Sequence, residues 1–584
     1  MSMTVSSTRT GSTTMLSCLL LLATSLIHIH AAPLEDLIEH LPGYGRPPTT
    51  QFSGFLDATA GCDTSVNGFC KIHYWMNLAS TDDPLKSPVV LWLNGGPGSS
   101  SILGLLQENG PLLMNATGGL MENPWAWTTL ANLLVIEAPI GVGYSYCEAQ
   151  TNGKVCQNTD RFTASASRAA LQDFFSNKFP ELSDNELFIT GESYAGIYIP
   201  TLAKELLDQA PEIKLAGVAV GDPCTDNKAQ EEAFDALWYG HKYGLVDDDI
   251  YDLLWNQCHA RAPNLMHKGG MHKVVQSLNH ELKTMDDDHE RAQQAKQYMD
   301  QLVNGGPHMI QSDECQVAFR KFQMSASKGL SQSWEDLYID NYSLFAPVSN
   351  LEDEQMAAYM MRPDVRAALH VEESPTTTWP YASEVRFDYT SEYDARNEDV
   401  VIDKIMIDIY QEIVPQLHTT LIYNGDTDPC VSYEGTRLAV KQIQFDELDG
   451  GGYRPWFYNH TGTTAELLAE KAALYGPDLL CQDMGAQFGG EIVSYDHNLS
   501  FLTFHGSGHM VPQFRPQAAL HMLEKLIKRQ SLSPLMPSNQ TLASLSNNEF
   551  KDVMDAWTEK DRGAPFVVDH VDFVESGTPV ESKK

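Results

Sequence analysis

The stretch ELFITGESYAGIY, Glu186–Tyr198, decides how the rest of the sequence is read. Its first five residues form a short apolar run of the kind that makes a buried strand. A helical pattern continues from Gly196 to Gln209, and Gly191 and Gly196 bracket Ser193 between the two. Strand, glycine-bearing turn, helix is the setting in which a tight turn lifts a serine hydroxyl above a sheet and points the next backbone N–H at the same place. The usual spacing is G-x-S-x-G; here the fifth position is Ala195, with Gly196 after it. Small residues on both sides of Ser193 still permit the crowded turn.

The same alternation extends outward. Ser87–Asn94 (SPVVLWLN), Asn132–Pro139 (NLLVIEAP) and Lys214–Asp222 (KLAGVAVGD) read as buried strands, and Asp160–Phe179 as a helix with Asp160 as its N-cap. Continuous apolar strands separated by helices predict an α/β fold with a mostly parallel central sheet and helices on both faces. From about Thr225 to Asn350 the pattern turns mainly helical and rich in His, Gln and Asp. Strands return at Thr419–Tyr423 (TTLIY) and Ser500–His505 (SFLTFH), followed by a helix at Pro516–Lys528. The expected organisation is a leader at 1–31, a core in two parts at 45–225 and 351–530, a helical insertion or cap at 226–350, and an acidic C-terminal extension at 531–584. The insertion is expected over the carboxyl ends of the strands, where open α/β sheets bind ligands.

A serine at neutral charge is a weak nucleophile and needs a general base, itself oriented by a carboxylate. Two later strands run into suitable loops. TTLIY leads into NGDTDPC, with Asp426 and Asp428, and SFLTFH into GSGHMVP, with His509. Each places an ionisable side chain just past a strand end.

Composition bounds the partners. The chain has 584 residues with 39 Lys+Arg against 77 Asp+Glu, a net charge of −38. Such a surface repels phosphate backbones and anionic membranes, so nucleic acid is excluded as a partner. The apolar segment Met15–Ile29, followed by Ala31 and Ala32, has the layout of a secretory signal peptide. It is shorter than the roughly 20 residues of a bilayer span, and no membrane span is expected in the mature chain. Sequons at Asn115, Asn341, Asn459, Asn498 and Asn539 agree with export and mark candidate N-glycans. Beyond Cys18 in the leader, nine cysteines remain. Cys62–Cys70, Cys147–Cys156 and Cys258–Cys315 are plausible bridges, Cys224, Cys430 and Cys481 complete the set, and an odd count leaves at least one thiol. No Cys/His spacing suggests a zinc site. The insertion's His259, His267, His272, His280 and His289 match no standard site, and neither metal nor cofactor is expected.

Taken together, WLNGGPGSS (Trp92–Ser100), ENGP (Glu108–Pro111), EAPIGVGYS (Glu137–Ser145), GESYAG (Gly191–Gly196), GDTD (Gly425–Asp428) and GSGHMVP (Gly506–Pro512), with Arg515-Pro516 after it, resemble the serine carboxypeptidase family, from about Gly45 to Leu526. The resemblance implies the α/β-hydrolase fold with Ser193 as nucleophile, Asp428 as the acid and His509 as the base, Asp426 being a structural turn residue. It implies the backbone N–H groups of Gly96 and Tyr194 as the oxyanion hole. For the carboxylate of a peptide's C-terminus it implies Asn94, the Gly95 amide, Glu108 and Glu192, the two glutamates sharing a proton. The activity implied is release of C-terminal amino acids from peptides and proteins through an acyl-enzyme, favoured at acidic pH. The alternatives are acyl transfer to an alcohol on the same scaffold, or a non-catalytic binding or chaperone role. Many relatives carry a cysteine where Ser99 stands, so disulfides do not transfer from them. The implied location is outside the cell or in a lysosome or vacuole. The oligomeric state stays open, a homodimer included.

Overall fold

The structure is a computed structural model. It describes residues 32–115, 117–225, 230, 236–258, 312–326, 351–379, 387–393, 406–428, 430–460 and 485–563. The leader, Asn341, Cys481 and the five insertion histidines lie outside the described residues. The chain divides into two compact units. One comprises 1–218, 353–393 and 401–413; the other comprises 219–352, 394–400 and 414–584.

In the first unit the strands are β1 (Gln51–Asp57), β2 (Cys70–Asn77), β3 (Val89–Leu93), β4 (Asn132–Ile136), β5 (Leu187–Glu192) and β6 (Leu215–Gly221), arranged β1-β2-β4-β3-β5-β6. β1/β2 and β2/β4 are antiparallel; β4/β3 and β3/β5 are parallel. Every residue of β3, β4 and β5 is buried, as expected of strands covered on both faces. Helices α1 (Asp160–Asp173) and α2 (Ala195–Gln209) pack on each other, and Met406–Ile413 packs on α2.

Two details differ from the sequence reading. The N-cap of α1 is Thr159, whose hydroxyl accepts the Phe162 N–H; Asp160 is the first helical residue and its carboxylate is engaged elsewhere. The helix also stops at Asp173 and gives way to a wider π-type turn over Phe174–Lys178. That turn buries Phe174 and Phe175, with Phe174 against Tyr74 and Phe179.

The chain passes into the second unit within β6, between Val218 and Ala219. There β7 (Thr419–Gly425), β8 (Arg454–His460), β9 (Gly485–Ser494) and β10 (Leu499–Phe504) follow the order β6-β7-β10-β9-β8. β7/β10 is parallel, and β10/β9 and β9/β8 are antiparallel. Around this sheet lie α3 (Tyr433–Gln442), α4 (Pro516–Ile527) and α5 (Asn547–Arg562). The described part of the insertion has its own apolar cluster of Leu237, Val246, Leu254, Trp255, Ala318 and Phe322 around the Cys258–Cys315 disulfide. The extension is docked. Buried Arg454 donates to the carbonyls of Gly451, Ser533 and Pro534, and α5 packs against the outer strand β8, Trp557 Nε1 donating to Leu535 O.

Cys62–Cys70, Cys147–Cys156 and Cys258–Cys315 are disulfides, as the sequence suggested. Among the described residues Cys224 and Cys430 are thiols. No helix among the described residues is long and apolar enough to cross a membrane.

Candidate active site

β5 delivers Glu192 and then Ser193, whose φ of +63° is left-handed. A non-glycine residue there is uncommon and strained, and such strain gathers at functional sites. The turn tolerates no bulk. A Cβ on Gly191 would lie 2.1 Å from Leu93 O, and one on Gly95 would lie 2.3 Å from Tyr194 N and 2.7 Å from Ser193 Cβ. The loop leaving β3 is therefore pressed onto the serine turn, and Gly95 is the residue that permits it. Gly96, with φ +115°, continues the loop in a conformation that favours glycine.

Asn94 opens the same loop. Its Oδ1 accepts from Trp92 Nε1 at 2.9 Å and from the Gly104 N–H at 3.0 Å. That fixes the orientation of the amide, so Nδ2 is the donor. It points at two carboxyl groups, Glu192 Oε1 at 2.9 Å and Glu108 Oε1 at 3.3 Å. Both glutamates are buried, at 4% and 2% exposure. Asn94, Glu108 and Glu192, which the sequence linked only through a family resemblance, are thus one hydrogen-bonded group beginning at the residue before Ser193.

Two buried carboxylates that the sequence did not single out support this region. Asp160 accepts the hydroxyls of Tyr194 (2.9 Å) and Tyr389 and the N–H groups of Glu392 (2.6 Å) and Tyr393 (2.9 Å). Burial pushes its carboxyl up, against the hydrogen bonds that pull it down. It anchors the side chain that follows the serine. Glu137 accepts from Ser100, the Tyr144 N–H and Trp379 Nε1, and lies 2.8 Å from His73 Nδ1. The Ser53 hydroxyl donates to Leu369 O, so His73 Nε2 donates to Ser53 Oγ. Glu137 fixes the far end of the Asn94–Ser101 loop through Ser100. The sequence signal was Glu137's place in a quoted motif and Asp160's position at a helix start. Neither disclosed its partners.

In the second unit, His509 Nδ1 lies 2.7 Å from Asp428 Oδ2, both residues buried. Asp428 Oδ1 accepts the Cys430 N–H at 2.7 Å. The loops carrying the pair are joined: Thr427 N and Oγ1 donate to Ser507 O, and a Cβ on Gly425 would lie 2.2 Å from Gly508 O. Asp426 accepts the Gly506 N–H at 2.7 Å and lies 2.9 Å from His505 Nδ1. It ties one loop to the other, which is a turn residue's work. Asp222, Asp428 and His509 each bring an atom within 4.8 Å of the others, close enough for a metal ion. Several of their atoms are already engaged, however: Asp428 with His509 and Cys430, and Asp222 Oδ1 with the Gly425 N–H and Asn424 Nδ2. The Asp428–His509 pair and Asp222 thus each sit in hydrogen bonds of their own.

A largely parallel sheet with a serine on a strained turn between strand and helix, and an Asp–His pair past later strand ends, defines a serine hydrolase of the α/β-hydrolase fold. The chain belongs to the serine carboxypeptidase family, whose sequence model matches residues 42–529. It is 31% identical over 519 residues to the lysosomal protective protein of Mus musculus, covering 88% of this chain and 98% of that one. It is 28% identical over 543 residues to serine carboxypeptidase-like 20 of Arabidopsis thaliana, covering 87% and 96%. In fold it is similar to the crystal structure of Kex1(delta)p, a prohormone-processing carboxypeptidase from Saccharomyces cerevisiae. That match has a TM-score of 0.57 at 18% identity and covers 85% of this chain and 95% of that one.

Proposed function

We propose that the chain releases C-terminal amino acids from peptides through an acyl-enzyme, with Ser193 as nucleophile, His509 as base and Asp428 as the orienting acid. With Nδ1 engaged by Asp428, Nε2 takes the serine proton as Oγ attacks the scissile carbonyl. The backbone N–H groups of Gly96 and Tyr194 stabilise the resulting oxyanion. The proton then passes to the leaving amine, the C–N bond breaks, and water hydrolyses the ester by the same steps.

The observation that carries the exopeptidase reading is the Asn94 amide bridging two buried glutamates beside the serine turn. An endopeptidase has no use for such a group. Two crowded carboxyls hold one proton between them more readily than two isolated ones. The protonated member, with Asn94 and the Gly95 amide, donates to the substrate's C-terminal carboxylate. Binding then weakens as pH rises and the pair ionises, so activity is favoured in acid.

The test is kcat/KM against pH for wild type and Glu192→Gln, on a blocked dipeptide. The expected result is highest activity in mildly acidic solution, a falling alkaline limb that moves in the variant, and no activity in Ser193→Ala. Highest activity above pH 8, or an unchanged profile in Glu192→Gln, overturns the shared-proton account. Acyl transfer to an added alcohol in place of free amino acid favours the acyltransferase alternative.

The family and the sequons support a secretory route ending outside the cell or in a lysosome or vacuole. Asn459, Asn498 and Asn539 are exposed and open to glycosylation. The insertion at 226–350 is proposed to shape side-chain selectivity.

A further inference from the structure

Asp222 ends β6 at φ +43°, a left-handed position for a non-glycine residue, and it is fully buried. Its backbone N–H donates to Tyr423 O at 2.7 Å. Its Oδ1 accepts the Gly425 N–H at 2.9 Å and Asn424 Nδ2 at 3.1 Å, and Asn424 Nδ2 also donates to Val431 O at 2.8 Å. Asp222 therefore holds the start of the turn that carries Asp428 directly, and its far end only through Asn424. An asparagine carbonyl would accept the same two donors. A buried carboxylate is costly without a compensating positive group. Among the described residues, one group beside it that becomes positive in the proposed mechanism is the His509 imidazole: one atom each of Asp222, Asp428 and His509 lies within 4.8 Å of the others.

We infer that Asp222 is a positioning residue for the Asp428–His509 pair: it clamps the Asp428 turn and adds a second negative charge beside the imidazole that takes the serine proton. The inference rests on the serine-hydrolase reading above. It makes Asp222 a reserve acid, able to orient and stabilise the protonated ring in part when Asp428 is neutralised. Among the described residues the ionisable groups around the pair also include Cys430, whose N–H donates to Asp428, Asp426 with His505, Tyr243, whose hydroxyl donates to Asp426 O, and Lys242 with Glu434.

The experiment is the rate of Ser193 labelling by a fluorophosphonate across pH, a readout that needs the serine, base and acid but no peptide. It is run on the full chain for wild type, Asp222→Asn, Asp428→Asn and the double variant, with kcat and KM on a blocked dipeptide alongside. In Asp222→Asn the labelling rate and kcat should fall about tenfold with KM within twofold. The low-pH limb of the labelling profile should move down by about one pH unit, because a negative charge near an imidazole favours its protonated form. Asp428→Asn should label at least tenfold faster than the double variant. Asp222→Ser, which also accepts hydrogen bonds without charge, stands in if Asp222→Asn does not fold. A merely structural role would lower the melting temperature without moving the limb. Wild-type rate and limb in the folded neutral variant, or equal labelling of Asp428→Asn and the double variant, overturns the inference alone. A wild-type chain that does not label overturns the serine-hydrolase reading and this inference with it.

Discussion

Gly95 occupies a place that no side chain can share. A Cβ there meets Tyr194 N at 2.3 Å and Ser193 Cβ at 2.7 Å, and neither atom can swing away as the end of a flexible side chain could. Gly95→Ala must therefore push the β3 exit loop off the serine turn, carrying the neighbouring Gly96 N–H with it. That N–H is proposed as an oxyanion donor, and loss of one such donor lowers kcat by roughly 100- to 1,000-fold, about 3–4 kcal/mol. The expected outcome is a kcat loss in that range, read on the blocked dipeptide, with the melting temperature only a few degrees lower. A variant within twofold of wild type would show that the Gly95-Gly96 turn does not shape the oxyanion site. The glycines and the serine are visible in the sequence because the chemistry demands small residues at fixed spacing. Asp222, Asp160 and Glu137 were not legible as site residues. Their roles come from partners 203, 229 and 242 positions away, in Gly425, Tyr389 and Trp379.

At the scale of elements, the apolar runs marked β3 to β7 and β10, whose residues are mostly apolar and buried, but not β1, β2, β8 or β9; buried β2 interrupts its apolar residues with Lys71, His73 and Asn77. Helix ends were less legible. Thr and Asp are both good N-caps, and the choice between Thr159 and Asp160 was settled by Asp160's engagement with Tyr194 and Tyr389. The insertion's alternation was weak, and its described part carries a covalent link. Cys258–Cys315 closes a separation of 57 residues, against 8 for Cys62–Cys70. On a chain-entropy account the longer loop contributes about 4 kcal/mol and the shorter about 2.5. Replacing both Cys258 and Cys315 by Ser should expose the Leu237–Phe322 cluster to limited proteolysis well below the melting temperature of the sheet, more so than the Cys62/Cys70 double replacement. Equal proteolytic resistance of the two would contradict this ranking.

At the scale of the molecule, a net charge of −38 is self-repelling at neutral pH and relaxes as carboxylates protonate in acid. Two groups in the second unit, buried Asp561 and half-buried His521, act on top of that general trend with opposite signs. Asp561, near the end of α5, is raised by burial from 3.8 to about 6, against the pull of Arg454 and Lys525. A raised acid favours the fold when protonated, so its contribution is complete below about pH 4 and is lost as pH rises through 6. His521, on α4 and stacked on Trp456, is lowered by burial, and by Lys525, from 6.5 to about 4. A lowered histidine favours the fold when neutral, so its contribution is complete above about pH 6.5 and is lost as pH falls through 4. Across pH 4 to 6 the gain from Asp561 opposes the loss from His521 in the stability of this unit. Asp561→Asn removes the gain, and its melting temperature should fall on acidification from pH 6 to 4. His521→Gln removes the loss, and its melting temperature should rise over the same interval. Parallel pH dependence of wild type and both variants would mean that neither group titrates differently in the folded and unfolded chain.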